Sequence, residues 1–277
     1  MAQCRYRRLT ALTLMVSGLL GGAQAYAQDF RVYTTVRDVN IAAPANSVVG
    51  RSLTLFHAGK VYDYMDGPGE LVIYEPIHDR FVLIHGYMGS IVPMSELRQL
   101  NELARTEGAR LEDELANSSA PQDANRLKML SFQLNPQFQE SWDTDDRQLT
   151  LSGAEFNYIV RTETASSRDN LELYLTYADW AAQLNSVLHS QAMYPDARLK
   201  LNEVLRGRQR LPVTVVLKGR NPAKMHLQAE HEFGAQLQAI DRNLIHQWER
   251  TRESERMQWV TFREYQQRLT QGETNPR

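Results

Sequence analysis

The sequence predicts an α+β fold: a curved antiparallel β-sheet, half-barrel-like, with helical insertions packed against it. Three observations carry that reading. Residues 51–86 hold four short β-forming runs joined by links too short for parallel crossovers. Helical periodicity takes over at Pro93. Strand patterns return near Leu149, so one sheet is assembled from distant segments.

The chain opens with the pattern of an export signal. Arg5, Arg7 and Arg8 precede an apolar stretch from Leu9 to about Leu20. Gly21, Gly22 and Ala23 follow, with the overlapping small-residue signals Ala23-Gln24-Ala25 and Ala25-Tyr26-Ala27. Charged, then apolar, then small is the order of a secretory signal, and the apolar stretch is shorter than the ~20 residues that span a bilayer. Cleavage is expected after Ala27, leaving residues 28–271 as a single α+β domain and 272–277 as a frayed tail. The mature chain is expected in the periplasm or outside the cell, with no transmembrane segment. The only cysteine of the sequence, Cys4, precedes the apolar stretch and leaves with the signal, so core burial rather than disulfides must hold the mature fold. The whole chain has 31 basic and 33 acidic residues, and losing three Arg leaves 28 against 33. That balance excludes nucleic acid as a general partner.

Phe30 to Val36 alternates and is rich in β-formers, and Ala42 to Ser47 reads as a loop. Strands are expected at about 51–57, 60–65, 70–75 and 80–86. Their links are His57-Ala58-Gly59-Lys60, Asp66-Gly67-Pro68-Gly69 and Pro76-Ile77-His78-Asp79, each with residues suited to a tight reversal. The runs 71–74 and 81–84 are apolar on both faces, so both sides of those strands should be covered. The space beside them is then either a dry hollow or ordinary core.

Pro93 to Ala116 carries leucines at three- and four-residue steps, with Gly108 as a weak point in its middle. After a break at Asn117 to Pro121, a second helix is expected at about 122–131. Leu149 to Leu151 and Phe156 to Val160 make a hairpin. Helices follow at about 169–188 and 196–206, then strands at Val213 to Leu217 and His226 to Phe233. The tail from Asp241 reads as helix in two pieces.

Seven histidines invite a search for metal ligands. In the densest cluster, His226, Glu230 and Glu232 share one strand face while His231 points to the other, so the two histidines cannot hold one ion. A solvated polar face is expected there, and no metal or other cofactor is assigned. Asn185 and His189 are helical neighbours, but Asp179 lies on roughly the opposite side, so they form no acid–base dyad. Trp180 reads as a core residue. Asp63 with Asp66 forms a candidate pair, and Asp145 with Asp146 a candidate calcium ligand set, yet neither fits a loop of alternating oxygen ligands. His85-Gly86-Tyr87-Met88-Gly89-Ser90 lacks the nucleophile elbow G-x-S-x-G, and no phosphate-cradling glycine loop occurs. No catalytic or ligand-binding residue is assigned, and the balance is against an enzyme.

The strand Phe30 to Val36, the run Arg51 to Tyr64 and the closing strand Phe81-Val82-Leu83-Ile84 together resemble the opening meander of the lipoprotein-carrier superfamily (LolA/LolB-like proteins). The whole chain also looks similar to an uncharacterised family of bacterial exported proteins. The carrier resemblance implies a curved antiparallel sheet whose concave side is capped by helices and can house an acyl chain; it assigns no ligand-contacting residue. Three readings follow. The first is an envelope protein that binds an apolar ligand or lipidated partner; the second is a structural or interaction protein with a filled core; the third is a hydrolase with an unrecognised site.

Overall fold

Strand pairing follows the short links. The computed structural model describes residues 29–43, 47–189, 192–221 and 225–271. The expected cleavage point after Ala27 and the tail 272–277 lie outside the described residues. β1 (Phe30–Asp38) is followed by a meander of β2 (Val48–His57), β3 (Lys60–Met65), β4 (Glu70–Glu75), β5 (Arg80–His85) and β6 (Met88–Pro93). Two-residue turns with positive φ close the tightest hairpin: Ala58 has φ 49° and Gly59 has φ 75°, the geometry that matches strand twist.

Two helices come next, α1 (Met94–Ala116) and α2 (Pro121–Leu134). A second run of strands is β7 (Phe138–Asp143), β8 (Gln148–Gly153) and β9 (Phe156–Thr164). Then come α3 (Arg168–Leu188), α4 (Asp196–Gly207), β10 (Arg210–Gly219), β11 (His226–Gly234), α5 (Ala239–Arg252), β12 (Gln258–Trp259) and α6 (Phe262–Gln271). Among the described residues all twelve strands join one open sheet, in the order β12-β6-β5-β4-β3-β2-β1-β11-β10-β9-β8-β7. Neighbours are antiparallel except β12 beside β6. The N-terminal strand is the seam, pairing with β2 on one side and β11 on the other.

The expected α+β architecture is therefore the observed one, with three strands added. β6 continues the meander because Gly86, at φ 60°, allows another tight reversal before the helix. β7 is a polar edge strand without apolar alternation, and β12 is only two residues long. α1 runs unbroken through Gly108. The glycine is buried against Tyr194 and Leu134, where a Cβ would meet the Tyr194 Oη at 2.6 Å.

The two faces of the sheet are used differently. One face carries Val32, Phe56, Val61, Val72, Phe81, Leu83, Leu151 and Val160 into a core shared with α1, α3, α4 and α6. The other face of the meander carries Leu55, Leu71, Ile73, Val82 and Ile84 against Ile245 and Trp248 of α5. Every residue of β4 is buried, as its two-sided apolar pattern requires. The space beside Val82 and Ile84 is filled by side chains, since both residues sit at 4% exposure or less. Beyond β1 the outer face presents Glu230, Glu232, Arg161 and Gln148, exposed or half-buried. No helix among the described residues is long and apolar enough to cross a membrane.

Candidate functional site

Period-two alternation brings polar side chains to the helix-covered face in two adjacent rows. His231, Thr34, Ser52, Met65, Glu70 and His85 lie in one row across six strands. Val32, Thr54, Asp63, Val72, Leu83 and Ser90 form the next. α3 lies over both rows. Its N-terminus is fixed by Ser167, whose side chain accepts from the Asn170 amide. Helical spacing then turns Tyr174, Tyr177, Ala178, Ala181, Ala182 and Asn185 toward the sheet. The three alanines face Thr34, Ser52 and Thr54, so neither surface fills the gap. A cleft of about 250 Å³ remains, walled also by Val32 and Arg198 of α4, with Asp63 and His231 at its floor.

Asp63 is enclosed by protein but reached by solvent through this cleft. Thr54 Oγ1 donates to its Oδ1 at 3.0 Å and Tyr177 Oη to its Oδ2 at 2.7 Å. Burial raises the Asp63 pKa, and the two hydroxyl donors oppose the rise. Burial, followed by the Asp63 charge, pushes the Tyr177 hydroxyl well above its ordinary value. The two groups therefore share one proton-donating contact rather than an ion pair.

His231 hydrogen-bonds through Nδ1 to Thr34 Oγ1 at 2.9 Å. Burial, aided by the Arg198 charge, lowers its pKa to about 3, so the ring is neutral at physiological pH. Arg198 stands near the Tyr174 hydroxyl and interacts with it electrostatically. Among the described residues no carboxylate lies within 4.0 Å of its guanidinium.

A second polar group lies deeper in the same face. Glu70 is 1% exposed, and neither of its oxygens has a hydrogen-bond partner among the described residues. His189 Nε2, just past the end of α3, stands 3.9 Å from its Oε1. His85, whose Nδ1 is unpartnered, is the cross-strand neighbour of Glu70 on β5, and the buried Tyr265 hydroxyl of α6 interacts with Glu70 electrostatically. Burial, followed by the Asp63 charge, raises the Glu70 pKa to about 7.

The sequence's own candidates fare unevenly. Asp63 does not pair with Asp66, because Asp63 lines the cleft while Asp66, in the β3–β4 turn, donates its amide to the Arg51 carbonyl at 3.0 Å. Asp145 and Asp146 cap a turn by donating their amides to Asp143 Oδ1. Among the described residues no group of three His, Cys, Asp or Glu side chains is arranged to hold a metal. His231 does point away from His226, Glu230 and Glu232. Asp179 binds Arg206 at 2.7 Å and Asn202 at 2.8 Å, well apart from the His189–Glu70 contact. Trp180 packs at the core's edge under Arg98, whose guanidinium sits 5.4 Å from the ring centre. Arg198 and Glu70 had no motif to announce them. Strand parity was the usable signal, since Glu70 shares a face with Val72 and Tyr74, and Asp63 with Val61.

Other openings exist among the described residues. A groove of about 340 Å³ on the outer face runs between α5 and the sheet, lined by Tyr33, Leu53, Tyr64, Leu244 and Trp248 with Arg51 and Asp66 at its rim. Another hollow, of about 540 Å³, is lined by Asn125, Met129, Glu155, Arg220, Asn221 and Met225, and there Arg220 already pairs with Glu155 at 4.0 Å. Comparison with protein-family models, characterised proteins and solved structures finds no match for this chain.

Proposed function

We propose that this chain is an exported envelope protein that binds a small ligand in the cleft between α3 and the sheet. One observation supports the reading: Arg198, Asp63, Asn185 and the hydroxyls of Thr34, Ser52 and Thr54 converge on an opening that three alanines of α3 leave unfilled. A helix packed only for stability would place larger apolar side chains there, as α3 does at Leu171, Leu175 and Leu184. The volume lies just below the usual range for small-molecule sites. Export is supported by the signal-like order of residues 1–27.

The test is native mass spectrometry of protein purified from its own envelope, beside the variant Ala182→Phe. A retained small molecule that is lost from the folded variant supports the reading. An empty wild type, with no small molecule shifting its melting temperature, sinks it.

A second reading, an apolar ligand or lipidated partner, is supported by the outer groove. Trp248 stacks there on Tyr64 with ring centres 5.7 Å apart, and removing apolar surface from water contributes ~25 cal/mol per Å². Saturable binding of a fluorescent fatty acid that Leu244→Glu abolishes and Ala182→Phe leaves intact would favour this groove over the cleft.

A further inference from the structure

We infer that the ligand of the cleft is a small organic acid that also carries a hydrogen-bond donor, its acid group held by Arg198 and its hydroxyl or ammonium by Asp63. This rests on the cleft being the binding site.

The chain treats its two α4 arginines near α3 differently. Arg206 is satisfied by Glu172 at 3.1 Å and Asp179 at 2.7 Å. Arg198, two turns earlier, lies near the Tyr174 hydroxyl and has no carboxylate within 4.0 Å among the described residues. A guanidinium has five donors in a planar fork, and Arg198 lines the cleft, where an acid group would take two of its free donors side by side. His231 is neutral, so Arg198 is the one cation among the residues lining the opening.

Asp63 sets the opposite requirement. Each of its oxygens accepts one bond, from Thr54 or Tyr177, and a carboxylate oxygen has room for two. A bare anion would satisfy Arg198 but set its own charge against those remaining lone pairs. A simple cation would satisfy Asp63 and be repelled by Arg198. A ligand with an acid at one end and a donor at the other meets both. The volume limits its size: at ~30 Å³ for each water-sized group, a cleft of about 250 Å³ holds a molecule of roughly eight non-hydrogen atoms. Glycerate and serine are of that size; a nucleotide or a long acyl chain is not.

The experiment is isothermal titration of the purified, exhaustively dialysed protein with four probes: acetate, ethanolamine, glycerate and serine. The expected result is that glycerate or serine binds at least about tenfold more tightly than acetate or ethanolamine, and that Arg198→Gln and Asp63→Asn each weaken it about tenfold or more. Asp63→Asn keeps an acceptor for one of the two hydroxyls and offers the other an amide N–H that its oxygen can accept, and half-exposed Arg198 tolerates glutamine in its helix, so circular dichroism should show both folded. Equal binding of all four probes, no binding of any, or indifference to Arg198→Gln overturns the inference. If the probes fail while native mass spectrometry still finds a molecule that Ala182→Phe displaces, the ligand class is wrong and the cleft stands. If that molecule is absent too, both readings fall.

Discussion

The Tyr177 hydroxyl donates to Asp63 Oδ2 at 2.7 Å, joining α3 to β3 across 114 positions of sequence. With Thr54 on the other oxygen, it makes the acid on the cleft floor tolerable in an enclosed site. A buried carboxylate that loses a donor bears the desolvation cost alone.

Tyr177→Phe should therefore destabilise the protein by about 1–3 kcal/mol at pH 8. The loss should shrink at acid pH, because a protonated Asp63 needs fewer donors. Urea unfolding at pH 8 and pH 5 checks this. No loss at pH 8 would mean that the hydroxyl bond adds nothing and that Tyr177 contributes its ring packing alone.

Glu70 gives a pH dependence of opposite character. Its pKa rises from 4.5 to about 7 on folding, through burial and the Asp63 charge. A raised pKa contributes stability that is fully present below 4.5 and lost as pH climbs through 7. At 1.36 kcal/mol per pKa unit, ionising Glu70 in place costs about 3 kcal/mol by pH 8. Glu70→Gln cannot ionise, so its stability relative to the wild type should improve by about that amount between pH 5 and pH 8. Comparing the two proteins at each pH cancels the other titrating groups. A constant difference between pH 5 and pH 8 refutes the assignment.

His231 must be separated from that effect because its sign is reversed. Its pKa falls from 6.5 to about 3, chiefly through burial, so it contributes stability that is present above 6.5 and lost as pH falls toward 3. Its imidazole nitrogens should keep the neutral-ring NMR shifts down to about pH 4, while an unperturbed histidine titrates near 6.5. A midpoint near 6.5 for His231 would show that its pocket is wetter than its burial implies.

The β2–β3 hairpin offers a gain in stability. Ala58 holds φ 49°, a left-handed conformation that costs an alanine roughly 1–2 kcal/mol and that asparagine occupies more readily. Ala58→Asn should raise stability by about 0.5–1 kcal/mol with no change in the cleft. Thermal melts read this directly, and an unchanged or lower melting temperature counts against it.

The fold was legible where local rules govern it. The links at 57–60, 66–69 and 76–79 are short and rich in turn-forming residues, and they alone determine four antiparallel strands. The apolar runs of β4 and β5 announced cover on both sides, which α5 supplies on one face and α1, α3 and α6 on the other. The missed strands lacked such signals: Glu140, Ser141 and Asp143 leave β7 without apolar alternation, and β12 has two residues. The cleft was not legible because it is a product of tertiary structure. Thr34, Asp63, Tyr177, Arg198 and His231 come from five elements, and no spacing in the chain relates them. Asp63 was noticed, but with Asp66 as its partner, since sequence proximity pointed that way while its true donors lie at 54 and 177.

Gly108 shows how a local rule is overridden, and it yields the last prediction. In an exposed helix interior, Gly→Ala stabilises by about 1 kcal/mol. At position 108 the added Cβ would lie 2.6 Å from Tyr194 Oη and 3.1 Å from Leu134 Cδ2. The tyrosine is poorly placed to yield, because its hydroxyl donates to the Ala104 carbonyl at 3.2 Å and its amide to Gln133 Oε1 at 3.0 Å. Moving the ring breaks the bond that ties α1 to the segment before α4. Overpacking of this kind costs about 1–3 kcal/mol, which outweighs the propensity gain, so Gly108→Ala should destabilise. Tyr194→Phe removes the closest atom, and in that background Gly108→Ala should become neutral or stabilising. Urea unfolding of the four proteins in this double-mutant cycle gives the coupling directly. If Gly108→Ala stabilises the wild type, the contact with Tyr194 is loose and the glycine is an ordinary weak point of the helix.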